Sequence, residues 1–318
     1  MDHVLITGGA GFVGTRLAAA LLARGARVTA VDNLSAGRLP ALAALSTDER
    51  FTLVEHDVTR AFEVAGEDTL TAVVHLASPV GPALVREQPV RTLLTASLGT
   101  MHALEIARRR RLRIVLASSA EVYGDTETIP QTEDCRTAVD PNGPLSAYAE
   151  GKRFLEALAT GYRREHAVDT GIVRPFNIYG PTFEGDSRVV TAFVVAALRG
   201  QELRLNGGGH ALRSLCFVDD FVAGLLAMLR SSDPGPINLG SADGVRIRDL
   251  AELVVHAVGS GTISHVPGVE GETRTSCPDI SRAQRVLGWS PTTPLAEGIA
   301  ATVAGMRALV HTSAGGSR

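Results

Sequence analysis

The stretch HVLITGGAGFVGTRLAAALLARGARVTAVD, His3 to Asp32, decides how the rest of the chain is read. An apolar, β-branched run ends at Thr7. Gly8, Gly11 and Gly14 follow, and then Leu17, Leu21 and Leu22 recur at helical spacing. A second strand pattern, RVTAVD, closes on Asp32. Strand, glycine turn, helix, strand and terminal acid form a βαβ unit suited to a dinucleotide. Gly8 permits the tight turn, Gly11 lets the backbone approach a pyrophosphate, and Gly14 lets the helix pack closely. The N–H groups around Phe12 and Val13 then meet the anion at the helix N-terminus. Asp32 lies 18 residues beyond Gly14, where an acid accepts a bond from a ribose 2′-OH. Its charge repels a 2′-phosphate, so the expected cofactor is NAD and not NADP.

Further strand patterns follow in FTLVEHDV, ending at Asp57, in TAVVHLAS, ending near Ser78, and in RIVLASSAEVYG from Arg113. Helical segments separate them. The expected fold class is therefore α/β, with a doubly wound parallel sheet. Ligands bind such sheets at the carboxyl ends of the strands. Those ends carry Asp57, then Leu76, Ala77 and Ser78, then Ser118 to Glu121.

Downstream, SAYAEGKRFLEAL places Tyr148 and Lys152 four residues apart, on one helix face. A phenol with pKa ~10 is a poor base at neutral pH unless its anion is stabilised. A lysine one turn away, together with a positive nicotinamide ring, supplies that stabilisation. Ser119 can hydrogen-bond the same substrate oxygen. The expected redox machinery is Ser119, Tyr148 and Lys152.

The bulk numbers exclude other classes. The chain has 318 residues, 45% of them hydrophobic and 20% charged, as in a globular protein of one large domain with a lobe. A formal net charge of -3 offers no general attraction to nucleic acid or anionic membrane. The only basic run, Arg108 to Arg111 with Arg113, reads as a solvated helix end. Cys135, Cys216 and Cys277 have no metal spacing, and the nine histidines form no metal pattern, so no metal is expected. His75 reads as a packed strand residue. Sparse cysteines and the absence of a leader or a long apolar run point to the cytoplasm, with no membrane span.

The segments TGGAGFVG, VDNLSAG, HLAS, SSAEVYG, YAEGK, RPFNIYGP, RSLCFVDDF and PDISRAQRVLGWSP stand in the order found in extended short-chain dehydrogenase/reductases. Within these, the chain resembles the NAD-dependent sugar-nucleotide epimerases, dehydratases and decarboxylases, over residues 3 to 305. The resemblance implies a cofactor that is oxidant and then reductant in one turnover. Tyr148 would deprotonate the sugar 4-OH, and the 4-keto sugar would then be reduced on its other face, lose water, or lose CO₂. It also implies cofactor contacts from Gly8, Gly11, Phe12, Val13, Gly14, Asp32, Asp57, Val58, Leu76, Ala77, Ser78, Tyr148, Lys152 and Pro175.

Three positions bear on the second step. Glu121 stands where galactose-type epimerases carry Thr and where dehydratases and decarboxylases carry Glu. Ala120 stands where glucose 4,6-dehydratases carry their acid Asp, and cannot expel a C6 hydroxyl; decarboxylases usually carry Ser there. Tyr148-Ala-Glu-Gly-Lys-Arg resembles the glucuronate decarboxylases. The favoured expectation is decarboxylation of UDP-glucuronate to UDP-xylose, or release of the 4-keto pentose. A 4-epimerase is the alternative, and a dehydratase is weaker. Ala96, in TASLGT, replaces an Asn that would bond near the nicotinamide ribose, which favours escape of the reduced cofactor.

By the same resemblance, the nucleotide sugar contacts Asn177, Arg188, Arg213 and Arg274, with Arg213 or Arg188 taking a sugar carboxylate. Leu203 to His210 would run beside the nucleoside. Residues 1–175 would be the Rossmann domain, rejoined around 211–240. Residues 176–210 and 241–310 would form a smaller α/β substrate lobe, and 311–318 a disordered tail. Helices around 86–110 and 147–166 would pair two copies into a homodimer.

Overall fold

The computed structural model describes residues 2–35, 40–136, 139–183, 185–268 and 275–313. Six strands, β1 (His3–Thr7), β2 (Arg27–Asp32), β3 (Phe51–Glu55), β4 (Ala72–His75), β5 (Arg113–Ala117) and β6 (Thr170–Pro175), join a seventh, Ile237–Leu239, in one sheet. The spatial order is seventh strand, β6, β5, β4, β1, β2, β3, and every pair is parallel. The expected doubly wound parallel sheet is therefore present.

Strand alternation builds its two layers. Ile6, Val28, Ala30, Val74 and Val115 join one core, against Leu17 and Leu21 of helix α1 (Phe12–Leu22) and the helix Val218–Arg230. Leu5, Val73, Ile114 and Leu116 join the other, against Leu104 and Ile106 of helix α2 (Thr100–Arg110) and Leu155 and Ala159 of helix α3 (Ser146–His166). Burial on both faces accounts for the continuous apolar strands.

The strands are shorter than their sequence patterns. β3 stops at Glu55, two residues before Asp57, and β4 stops at His75, so Leu76 to Ser78 form an open exit. The helix expected around 86–110 is interrupted. Proline disfavours helical backbone in the residue before it, and Gln88, ahead of Pro89, has φ -132. Helix restarts at Pro89–Leu94, passes through a π turn at Thr95–Gly99 and continues as α2. The arginine run ends α2, where Arg109 pairs with Glu67 at 3.2 Å and Arg108 with Glu105 at 2.9 Å.

The chain after β6 builds smaller sheets beside the strand exits. Glu202–Asn206 pairs in parallel with Thr262–Val266, and Leu212–Ser214 lies between Gly244–Arg246 and Thr275–Ser276. Gly207, Gly208 and Gly209 all have positive φ, which makes Leu203 to His210 a strand followed by a tight glycine turn. The last helix runs Leu295–Ser313, so part of the expected tail is helical, and residues 314–318 lie outside the described residues. No helix among the described residues is long and apolar enough to cross a membrane.

Candidate active site

β1 and β4 lie side by side at the point where the strand order reverses, and the crevice at their exits receives the glycine turn. Gly8 adopts φ +73, and a Cβ there would stand 2.7 Å from the Ala77 nitrogen, so the turn lies directly on the β4 exit. A Cβ on Gly14 would stand 2.2 Å from the Gly8 carbonyl oxygen. The close packing read from the sequence is thus of helix on turn. A Cβ on Gly11 would meet only that carbonyl oxygen, at 3.2 Å, which leaves its other side open to a ligand. Gly11 caps α1 with no side-chain acceptor, so the first-turn N–H groups at Phe12 and Val13 are available to an anion.

Asp32 accepts hydrogen bonds from the backbone N–H groups of Ala10, at 3.0 Å, and Leu34, at 2.8 Å. Burial raises its pKa, against the bonds from Leu34, Ala10 and Asn33. Through these bonds it fastens the glycine turn to the end of β2. Asp57 accepts from the Thr59 N–H at 3.0 Å and hydroxyl at 2.8 Å. Burial would raise its pKa, but Thr59, Asn33 and Arg91 together hold it below the usual carboxylate range. Val58 is buried, and its carbonyl accepts from His102 Nδ1 at 2.8 Å. Leu76 donates its N–H to the Thr7 carbonyl at 3.0 Å, and Ser78 Oγ lies 3.4 Å from the Pro79 carbonyl. Pro175 closes β6 in register with Leu239.

The catalytic candidates meet where β5 ends. Ser119 caps a short 3₁₀ turn, Ala120–Tyr123, by accepting from the Glu121 N–H at 3.2 Å. Tyr148 sits in the first turn of α3 and shares a side-chain hydrogen bond with Ser119. Burial pushes its phenol up to about 12; Ser119 and Arg188 work against that rise, and Glu121 adds to it. Lys152 is buried, donates to the Ala117 carbonyl at 2.9 Å, and holds Nζ 5.6 Å from the centre of the Tyr148 ring. Burial brings its amine down to about 8. In this arrangement the phenol leans on Ser119 for its hydrogen bond, while Lys152 is fixed beside it by β5. Glu121 is exposed at the start of the 3₁₀ turn; desolvation of its carboxylate still raises its pKa, with Arg213 opposing.

Of the substrate candidates, Arg213 (on Leu212–Ser214) is the one whose charge acts on Glu121. Arg188 is gripped by Asp186 through Nε, at 3.0 and 2.9 Å, and through Nη2; its Nη1 donates to the Ile178 carbonyl at 3.0 Å. It also stacks 4.6 Å over the Phe12 ring. With its charge matched, Arg188 is the weaker candidate for a sugar carboxylate, and it bolts the substrate side of the cleft to the start of α1. Asn177 has φ +39, a conformation asparagine tolerates, and its amide donates to the Ser214 carbonyl at 2.9 Å. Arg274 lies outside the described residues.

Residues 4–240 match the sequence profile of the NAD dependent epimerase/dehydratase family. The chain belongs to that family. It is 38% identical, over 95% of its length and 71% of the relative's, to UDP-glucuronic acid decarboxylase 1 of Xenopus tropicalis. It is also 38% identical to UDP-glucuronic acid decarboxylase 6 of Arabidopsis thaliana, over 93% of this chain and 86% of the plant protein. Among solved structures, a UDP-glucose 4-epimerase of Thermotoga maritima with UDP-glucose superposes with a TM-score of 0.86 at 27% identity, covering 96% of this chain and 99% of that one.

NAD is the cofactor of this epimerase/dehydratase chain. The open side of Gly11, the uncapped start of α1 and the acid at the end of β2 fit its pyrophosphate and ribose. Among the described residues, no cluster of His, Cys, Asp or Glu could hold a metal ion.

Several residues around the site gave no signal in the motifs. Asp186 holds Arg188, and Gly9 packs against Ala30, where a Cβ would come within 2.5 Å. Glu156 and Arg174 form a buried ion pair behind the catalytic layer, at 2.7 Å. Lys152, expected from its helical spacing to Tyr148, is also the only lysine in a chain with 30 arginines. Arginine cannot be deprotonated in proteins, whereas a buried lysine titrates, so a single lysine among arginines marks a position where a titratable amine is needed.

Proposed function

We propose that the protein decarboxylates UDP-glucuronate through a 4-keto intermediate, yielding UDP-xylose. The observation that carries this reading is Glu121 in the cleft, with Arg213 acting on it and Tyr148 beside it. NAD, when bound, supplies the two-electron acceptor for C4 and returns the electron pair later in the turnover. Burial raises the Tyr148 phenol, and a positive nicotinamide ring beside it would offset that rise; Tyr148 would then take the O4 proton while Ser119 orients that oxygen. Arg213 binds the C6 carboxylate, because a guanidinium offers two parallel donors to it. Once C4 is a ketone, the C5–C6 bond breaks, CO₂ leaves and the bonding pair moves into the carbonyl as an enolate. C5 then needs a proton. Glu121, whose pKa is raised, holds one more readily than an ordinary carboxylate, and the cleft can resupply it. Tyr148 finally returns its proton to O4.

Ala120 has no acid to expel a hydroxyl, which supports this path over 4,6-dehydration. The 4-epimerase reading uses the same first step and has no role for Glu121. We further propose a homodimer in a reducing cytoplasm. Val90, Leu93, Leu94, Leu98 and Phe154 are exposed apolar residues on the helix containing the π turn and on α3, and the three cysteines are free thiols.

The test is to incubate the protein with NAD and UDP-glucuronate and follow nucleotide sugars by mass, with UDP-glucose as control. Loss of CO₂ from UDP-glucuronate alone is expected, and the ratio of pentose to keto-pentose reads the effect of Ala96. A product of unchanged mass and altered retention would replace decarboxylation by epimerisation. Tyr148→Phe should abolish turnover and spare NAD binding.

A further inference from the structure

Three consecutive residues at the exit of β5 hold three residues of α3. The Ala117 carbonyl accepts from Lys152 Nζ at 2.9 Å, Ser118 Oγ donates to Glu156 Oε1 at 2.6 Å, and Ser119 bonds Tyr148. Tyr148, Lys152 and Glu156 succeed one another every four residues and so share a face. Glu156 also accepts from Arg174 Nε at 2.8 Å and Nη2 at 2.7 Å. Arg174 Nη1 donates to the Tyr123 hydroxyl at 2.9 Å and the Glu133 carbonyl at 3.1 Å, and Tyr123 donates to Asn238 Oδ1 at 2.7 Å. One ion pair thus ties together the helix of Tyr148 and Lys152, the strand end of Ser119 and the 3₁₀ turn of Glu121. Its side chains are only 8% and 15% exposed. A hydrophobic pair often serves stability as well as a buried ion pair does, so stability alone does not explain why charges stand here.

We infer that Glu156 is a positioning residue for the reaction: held by Ser118 and Arg174, it supplies the counter-charge that keeps Lys152 in its working charge state. The inference rests on the reading of Tyr148 and Lys152 as the proton-handling pair. Among the described residues, the groups around Lys152 are few. Tyr148 and Glu156 face it from α3, the Ala117 carbonyl from β5, and His75 from β4, where Lys152 helps burial keep the imidazole neutral. Arg174, from β6, pairs with Glu156. The π turn, TASLG, carries no titratable side chain. Burial lowers the lysine pKa, and Glu156 opposes that fall.

Because Lys152 is the only lysine, protein grown on Cε-labelled lysine gives a single side-chain resonance whose pH titration belongs to it. The wild-type midpoint should lie near about 8. Glu156→Gln should lower it by about one unit, as loss of a neighbouring opposite charge does. That variant leaves Arg174 unmatched, so the paired variant Glu156→Gln/Arg174→Met is measured beside it; with the like charge gone as well it should titrate above the single variant and still below the wild type. Ser118→Ala keeps the carboxylate and should leave the midpoint within a few tenths of a unit. Folded, NAD-binding Glu156 variants that titrate like the wild type would overturn the inference. So would a Ser118→Ala shift as large as theirs, because loosened packing would then be the cause. The resonance is read without sugar, so a wild type inert toward UDP-glucuronate would count against the proposed function only.

Discussion

His75 sets an acid limit on this fold. Its ring lies inside β4, 1% exposed, with Nδ1 2.7 Å from Thr7 Oγ1 and Nε2 3.2 Å from Thr100 Oγ1. Burial, and secondarily the charge of Lys152, push its pKa down from 6.5 to about 3. The native state therefore refuses a proton that the unfolded chain accepts once the pH drops below 6.5. Stability from the neutral imidazole is complete above that value and is lost progressively as the pH falls toward 3. At about 1.4 kcal/mol per pH unit, going from pH 6.5 to about pH 5 removes roughly 2 kcal/mol. The measurement is urea unfolding at about pH 7 and about pH 5, for wild type and His75→Gln, followed by the fluorescence of Trp289, the only tryptophan. Carboxylates titrate alike in both proteins and cancel in the difference, as does any constant cost of the substitution. The wild type should lose roughly 2 kcal/mol more than the variant. Parallel losses would show instead that His75 is protonated in the folded protein or reached by water.

Gly14→Ala places a Cβ 2.2 Å from the Gly8 carbonyl oxygen, which must move the glycine turn. Calorimetric titration should find NAD binding weaker by about tenfold or more, with a stability cost of ~1–3 kcal/mol typical of overpacking. Arg213→Met should raise KM for UDP-glucuronate by roughly tenfold or more, the value of a charge-assisted hydrogen bond, with NAD affinity unchanged. Because Arg213 lowers the Glu121 pKa, its loss should also let Glu121 keep its proton to higher pH. The alkaline limb of the decarboxylation profile should then move upward, and a stationary limb would remove Arg213 from the vicinity of the proton donor.

Several parts of this protein depend only on neighbours along the chain. Gly8, Gly11 and Gly14 announce a turn that only small residues can form, and Asp32 follows at the distance one helix and one strand impose. Tyr148 and Lys152 share a face because a helix repeats every 3.6 residues. Such patterns are legible because backbone geometry alone fixes where the side chains go. Other parts depend on register between distant segments. β5 pairs with β6 so that Ala117 lies opposite Val173, and this sets Ser118 alongside Arg174 with Glu156 of α3 bonded to both. The same holds for Arg188, which reads as one more arginine until the fold brings Asp186 and Phe12 to it. No spacing rule links residues 12, 118, 156, 174 and 188. Their partnership exists only after the strands have aligned, because a buried charge must find its counter-charge wherever packing places it.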